Sequence, residues 1–172
     1  MMLRALPISA LETSFSSVDR RITASLARLA LPALRLGLGV VFVWFGLLKM
    51  LGSSPATELV VSTTAWMADP GWFVPFLGVW EVLIGVCLID PIRLLGGSAW
   101  MTRLGILLLA LQIPGTFLPL VMVPEACFTG ELLGLTIEGQ YVIKNLVLIA
   151  AAIALGATVR DRVRSPGRSP AQ

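Results

Sequence analysis

The sequence is short of the residues from which most catalytic and metal sites are built. It has no histidine, two cysteines and one tyrosine among 172 residues. So few imidazoles and thiols leave no ligand set for a His/Cys zinc or haem centre. No histidine stands ready to activate a serine or cysteine nucleophile. A phosphate-cradling glycine loop is missing too. Gly37, Gly39 and Gly46 lie in an apolar run with no strand before them, which suits close helix packing rather than dinucleotide binding. Charge is also scarce, at 13% of residues against roughly 25% in soluble domains. With 56% hydrophobic residues and a mean hydropathy of +0.88, the chain is too apolar to hide its surface in a water-soluble core.

What the sequence does contain is four long apolar runs. A membrane helix needs ~20 mostly apolar residues, and runs of that kind cover about residues 31–51, 72–89, 99–123 and 139–159. They are too long for barrel strands, and helices satisfy their own backbone in lipid. The expected fold is therefore all-α: a polytopic membrane protein with a four-transmembrane-helix bundle over 31–159. The first run is flanked by Arg35 and Lys49, with Pro32 where a first-turn proline is tolerated. The second contains Glu81 and stops at Asp90-Pro91. The third should kink at Pro114 and Pro119. The fourth contains Lys144, with Thr136 as its N-cap. Residues 1–30 form a polar leader with no apolar core for signal-peptide cleavage. In it Val18, Ile22, Leu26 and Leu29 recur at helical spacing, which fits either an amphipathic helix on the inner membrane surface or a frayed lead-in. Residues 160–172, rich in Arg, Ser and Pro, read as a disordered basic tail.

Basic residues orient the bundle. Arg4, Arg20, Arg21 and Arg28 precede the first span, Arg93 and Arg103 lie around the second connection, and Arg160, Arg162, Arg164 and Arg168 follow the fourth. The other two loops, 52–71 and 124–138, contain no Lys or Arg and carry Glu58, Asp69, Glu125, Glu131 and Glu138. Both termini are therefore expected in the cytoplasm of a cell whose plasma or inner membrane holds the protein. The basic pI of about 9.4 follows from this asymmetry and from attraction to anionic lipid; no motif supports nucleic-acid binding. Cys87 and Cys127 fall on opposite sides of the bilayer, so a disulfide between them is not expected.

Ionisable groups inside a membrane are costly and point to function. Glu81 is nine residues past Trp72, ~14 Å along its helix. Gly78 and Gly85 share its face and admit a neighbouring helix. At similar depth stand Lys144, Tyr141 and Asn145 on span four, Gln112 and Thr116 on span three, and Lys49 on span one. The expectation is an outward-opening pocket with Glu81 and Lys144 as its chemical pair. Lys49, Gln112, Thr116, Tyr141 and Asn145 would bind, and Phe42, Trp44, Phe45 and Trp80 would form walls. The bland reading has equal weight: Glu81 pairs with Lys144 or Lys49 only as glue between helices.

Three pieces of the chain carry a family resemblance. They are Arg35-Leu36-Gly37-Leu38-Gly39 leading to Phe45-Gly46-Leu47-Leu48-Lys49, Gly78-Val79-Trp80-Glu81-Val82-Leu83-Ile84-Gly85, and Glu138-Gly139-Gln140-Tyr141-Val142-Ile143-Lys144-Asn145. Together they resemble the DoxX-like family of small four-helix membrane proteins, over roughly residues 30–160. The resemblance implies a four-helix bundle with inside termini. It also implies an accessory subunit of a quinone-linked redox system related to thiosulfate or thiols, with quinone as the non-covalent cofactor and a soluble or membrane redox subunit as partner, and with homo-oligomers admitted. A small-solute carrier or channel and a non-catalytic scaffold are the competing expectations.

Overall fold

Apolar runs interrupted by prolines and glycines give seven α-helices among the described residues. The computed structural model describes residues 8–91, 100–131 and 133–161, with side chains from 18 to 159 in those segments. The helices are α1 (Ile8–Met50), α2 (Thr57–Thr63), α3 (Phe73–Ile89), α4 (Trp100–Phe117), α5 (Pro119–Met122), α6 (Pro124–Cys127) and α7 (Ile137–Asp161). A single 3-10 turn, Pro70–Trp72, leads into α3. One isolated antiparallel bridge, Phe128 to Leu135, is the sole β pairing among the described residues. Four stretches are long and apolar enough to cross a membrane: Val18–Met50, Pro70–Ile89, Trp100–Met122 and Ile137–Val159. Arg4, Arg93 and the tail from residue 162 lie outside the described residues.

The chain divides into two compact units, Met1–Leu34 and Arg35–Gln172. In the first, the helix already begins at Ile8, and Val18, Ile22, Leu26 and Leu29 are exposed. Pro32 lies inside α1 rather than in its first turn. Its missing N–H deprives one carbonyl, that of Arg28, of a partner, a cost the helix tolerates without ending.

In the second unit, the residues of α1 from Arg35 onward pack antiparallel on α3 through paired glycines. A methyl group added at Gly85 would stand 2.6 Å from the Gly39 carbonyl oxygen, and one at Gly46 would stand 2.6 Å from that of Gly78. Backbone thus touches backbone twice, two turns apart, which only glycine allows. Helix α3 also packs on α4, where Gly105 brings the chain against Cys87 and Leu88, and α4 packs on α7.

The two ends of this bundle differ. At the end where α3 finishes, Asp90 adopts a left-handed conformation with φ of 50°, because the following Pro91 disfavours a further helical residue. Arg35 donates to the Leu88 and Ile89 carbonyls at 3.1 and 2.6 Å, closing orphan acceptors of α3. The Thr102 hydroxyl donates to Asp90 at 2.6 Å. Three helices are tied together there, and this is the terminal end, since α1 enters and α7 leaves on that side. The loop end holds α2, α5, α6 and residues 128–131 and 133–136. Helix α4 runs through Pro114 but stops at Phe117, and Pro119 opens α5, so the break expected near the prolines falls at the second of them. The Thr136 hydroxyl accepts from Gly139 N–H at 3.0 Å and caps α7. Cys87 and Cys127 are free and buried.

Candidate functional site

The geometry of α1 and α3 explains why two distant charges meet. Lys49 lies three residues beyond Gly46 toward the loop end, while Glu81 lies three residues beyond Gly78 toward the terminal end. Their backbones are offset by ~9 Å along the helix axes at 1.5 Å per residue. Helical side chains slant toward the N-terminus of their own helix. In an antiparallel pair this tilts Lys49 down and Glu81 up, so the two converge. The result is an ion pair of 2.7 Å from Lys49 Nζ to Glu81 Oε2, with both residues 8% exposed. Lys49 is also in the last turn of α1, where the helix dipole favours a cation. The second carboxylate oxygen accepts from Gln112 Nε2 of α4 at 2.9 Å. Three helices therefore contribute to one buried polar cluster.

This cluster lines a cavity of about 610 Å³. Its aromatic wall includes Phe42 and Phe45 from α1 and Phe73, Phe76 and Trp80 from the start of α3. Edge and stacked contacts chain Trp72, Phe73, Phe76 and Trp80 together, and the Trp80 indole donates to the Leu108 carbonyl at 3.3 Å. The loop-end cover comes from Ser54 through Met67, including α2, and from Leu118 and Pro119. The deepest lining residues are Val41, Glu81, Leu109 and Leu148. Below them Leu38, Ile84, Leu88 and Leu155 are each 5% exposed or less and do not line it. The cavity thus occupies only the loop half of the bundle.

Six of the seven residues singled out in the sequence reach this cavity: Glu81, Lys49, Gln112, Thr116, Tyr141 and Asn145. Thr116 has its hydroxyl turned back to the Ile113 carbonyl at 2.7 Å. Asn145 makes no hydrogen bond among the described residues, and Tyr141 is half exposed, so both have polar atoms to spare. Gln112 Oε1 is buried without a hydrogen-bond partner.

Lys144 does not join them. It is exposed, and its ammonium lies 5.3 Å from the Tyr141 ring centroid. The reason is angular. At about 100° per residue, Ile137, Tyr141, Val142, Asn145 and Leu148 span one arc of α7 facing the cavity, and Lys144 falls about 20° beyond its edge. Of the two lysines that the sequence offers to Glu81, Lys49 makes the ion pair, and Lys144, expected as its chemical partner, does not reach it. Trp44, expected as a wall, is 64% exposed and points away, because Phe42, Phe45 and Lys49 hold the inward arc of α1.

Two features were not anticipated in the sequence. The loop 53–67 forms a cavity wall, for which only its apolar Leu59, Val60 and Trp66 between polar residues give a signal. Glu138, at the start of α7, also lines the cavity, and it is exposed. The charged groups at the cavity are therefore Lys49, Glu81 and Glu138, and the cation among them is already neutralised. No group of three or more His, Cys, Asp or Glu side chains that could hold a metal ion occurs among the described residues. Comparison with family models, with curated proteins and with solved structures finds no match to this chain.

Proposed function

We propose that this chain is a DoxX-like integral membrane protein of the cell membrane, crossing the bilayer four times with both ends in the cytoplasm, and that its cavity binds a quinone headgroup. In this reading it is the accessory membrane subunit of a quinone-linked redox system acting on thiosulfate or thiols, with a separate redox subunit as partner. The observation that carries the proposal is the buried Lys49–Glu81–Gln112 cluster at the closed end of an aromatic-walled cavity. Such a site combines apolar walls with a few convergent polar groups, as small-molecule sites do.

The donor set suits a neutral planar ligand. An ammonium has three N–H donors and an amide two, so Lys49 and Gln112 each retain donors after meeting Glu81. Tyr141 and Asn145 add further polar atoms. An anion such as thiosulfate would meet no unneutralised cation at this cavity and would face Glu138. When bound, a quinone supplies the electron-transfer chemistry. The chain's own residues hold its ring between aromatic faces, donate to its oxygens and exclude water.

The test is a fluorescence titration of the purified protein with a short-chain ubiquinone, read at the tryptophans, since Trp66 and Trp80 line the cavity. Saturable quenching is expected. Tyr141→Phe combined with Asn145→Leu should weaken binding about tenfold or more, the loss of one or two hydrogen bonds. Quenching that is linear in quinone, or unaltered by the double substitution, would refute the reading.

A further inference from the structure

A second cavity lies at the opposite end of the bundle. It measures about 400 Å³ and is lined by Arg103 and Ile106 of α4 and by Gly156 and Val159 of α7. The two helices run antiparallel, which orders these residues by depth. Arg103 and Val159 stand at the terminal end, and Ile106 and Gly156 stand one turn deeper. The groove is open at its deep end because Gly156 has no side chain: a methyl there would meet only Ile106 Cδ1, at 3.9 Å. Charge is therefore confined to one end of the groove and apolar surface to the other.

Arg103 is exposed, with no hydrogen bond or ion pair to any described residue. Trp100, one turn before it and 52% exposed, has the character of an aromatic at a membrane–water boundary. If the chain spans a bilayer as proposed, Arg103 sits at the level of lipid phosphates and Ile106 and Gly156 at the level of acyl chains.

We propose that this groove is a binding site for one anionic glycerophospholipid, its phosphodiester held by the Arg103 guanidinium and an acyl chain laid over Ile106 and Gly156. Guanidinium matches phosphate bidentately, which lysine does not. The inference needs the membrane reading but not the quinone, so a failed quinone titration leaves it standing.

Native mass spectrometry of the full chain, released from micelles doped with equal dioleoyl phosphatidylglycerol and dioleoyl phosphatidylcholine, tests it. The expected result is one retained phosphatidylglycerol per chain, preferred about tenfold over phosphatidylcholine. Arg103→Gln should abolish the preference. Gly156→Leu should reduce retention at least fivefold while leaving every charge in place. Arg103→Lys should recover part of the preference, which a merely structural role would not predict. Inorganic phosphate at millimolar concentration should fail to displace the lipid. Equal retention of the two lipids by the unaltered protein, adducts unchanged by Arg103→Gln, or displacement by phosphate alone would each overturn the proposal. Should Gly156→Leu fail to fold, the exposed Arg103 variants decide the matter.

Discussion

Removing one member of the Lys49–Glu81 pair should be far more damaging than removing both. At 2.7 Å and an effective dielectric constant of about 20, the attraction is about 6 kcal/mol. Against it stands the desolvation of two ions, several kcal/mol each, so the pair as a whole is close to neutral. Lys49→Met leaves the Glu81 carboxylate at 8% exposure with only the Gln112 amide for company. That uncompensated charge should cost about 3–5 kcal/mol. Glu81→Gln strands the Lys49 ammonium in the same way. The double variant exchanges the pair for a methionine and a neutral amide that can still meet Gln112, and it should lie within about 1 kcal/mol of the parent. The coupling in the four-member cycle should therefore be about 5 kcal/mol or more, beyond the usual range for contacting residues. Reversible unfolding in mixed micelles, titrated with dodecyl sulfate and followed by helicity, measures each corner. Additive single effects, with coupling below about 1 kcal/mol, would show that the two charges do not depend on each other as their geometry requires.

Two further outcomes follow from packing and from the loop end. Gly85→Ala places a methyl 2.6 Å from the Gly39 oxygen and 2.7 Å from the Val43 nitrogen, both backbone atoms, so the helices must separate by roughly 0.8 Å to reach ordinary contact. It should lower stability by about 1–3 kcal/mol, whereas Gly37→Ala, with nothing within 4 Å, should be neutral or slightly stabilising; equal thermal shifts for both would contradict the helix contact described. Cys127 is buried, and burial, followed by the nearby charges of Glu138 and Glu125, pushes its thiol above the ordinary value. Less thiolate is then present near neutral pH, so in a Cys87→Ala background maleimide should react slowly, faster as pH rises, and rapidly once dodecyl sulfate opens the loop; prompt labelling of the folded protein at neutral pH would refute this.

The membrane-length helices are visible in the sequence because each is built on a long, nearly uncharged apolar run, and the small residues beside Glu81 announce which face packs inward. The identity of the partner cation is not visible in the same way. Lys49 and Lys144 stand at comparable depths, and the choice between them turns on a few tens of degrees of helix rotation that only tertiary packing fixes. Arg35 illustrates a second limit. An arginine at the end of an apolar run looks like one that reaches to the surface, yet here it closes the carbonyls of another helix 53 and 54 residues away. The Thr102–Asp90 hydrogen bond is equally hidden, since a hydroxyl in an apolar helix gives no hint of its acceptor. The wall formed by residues 53–67 depends on a loop folding back over the bundle, and local pattern does not encode that.

The cavity's floor has a consequence for traffic. Leu38, Ile84, Leu88 and Leu155 are packed in the terminal half of the bundle, so the chamber above them ends on an apolar floor. In this arrangement a molecule beside Glu81 rests on an apolar floor, and passage to the other end would require these packed side chains to part.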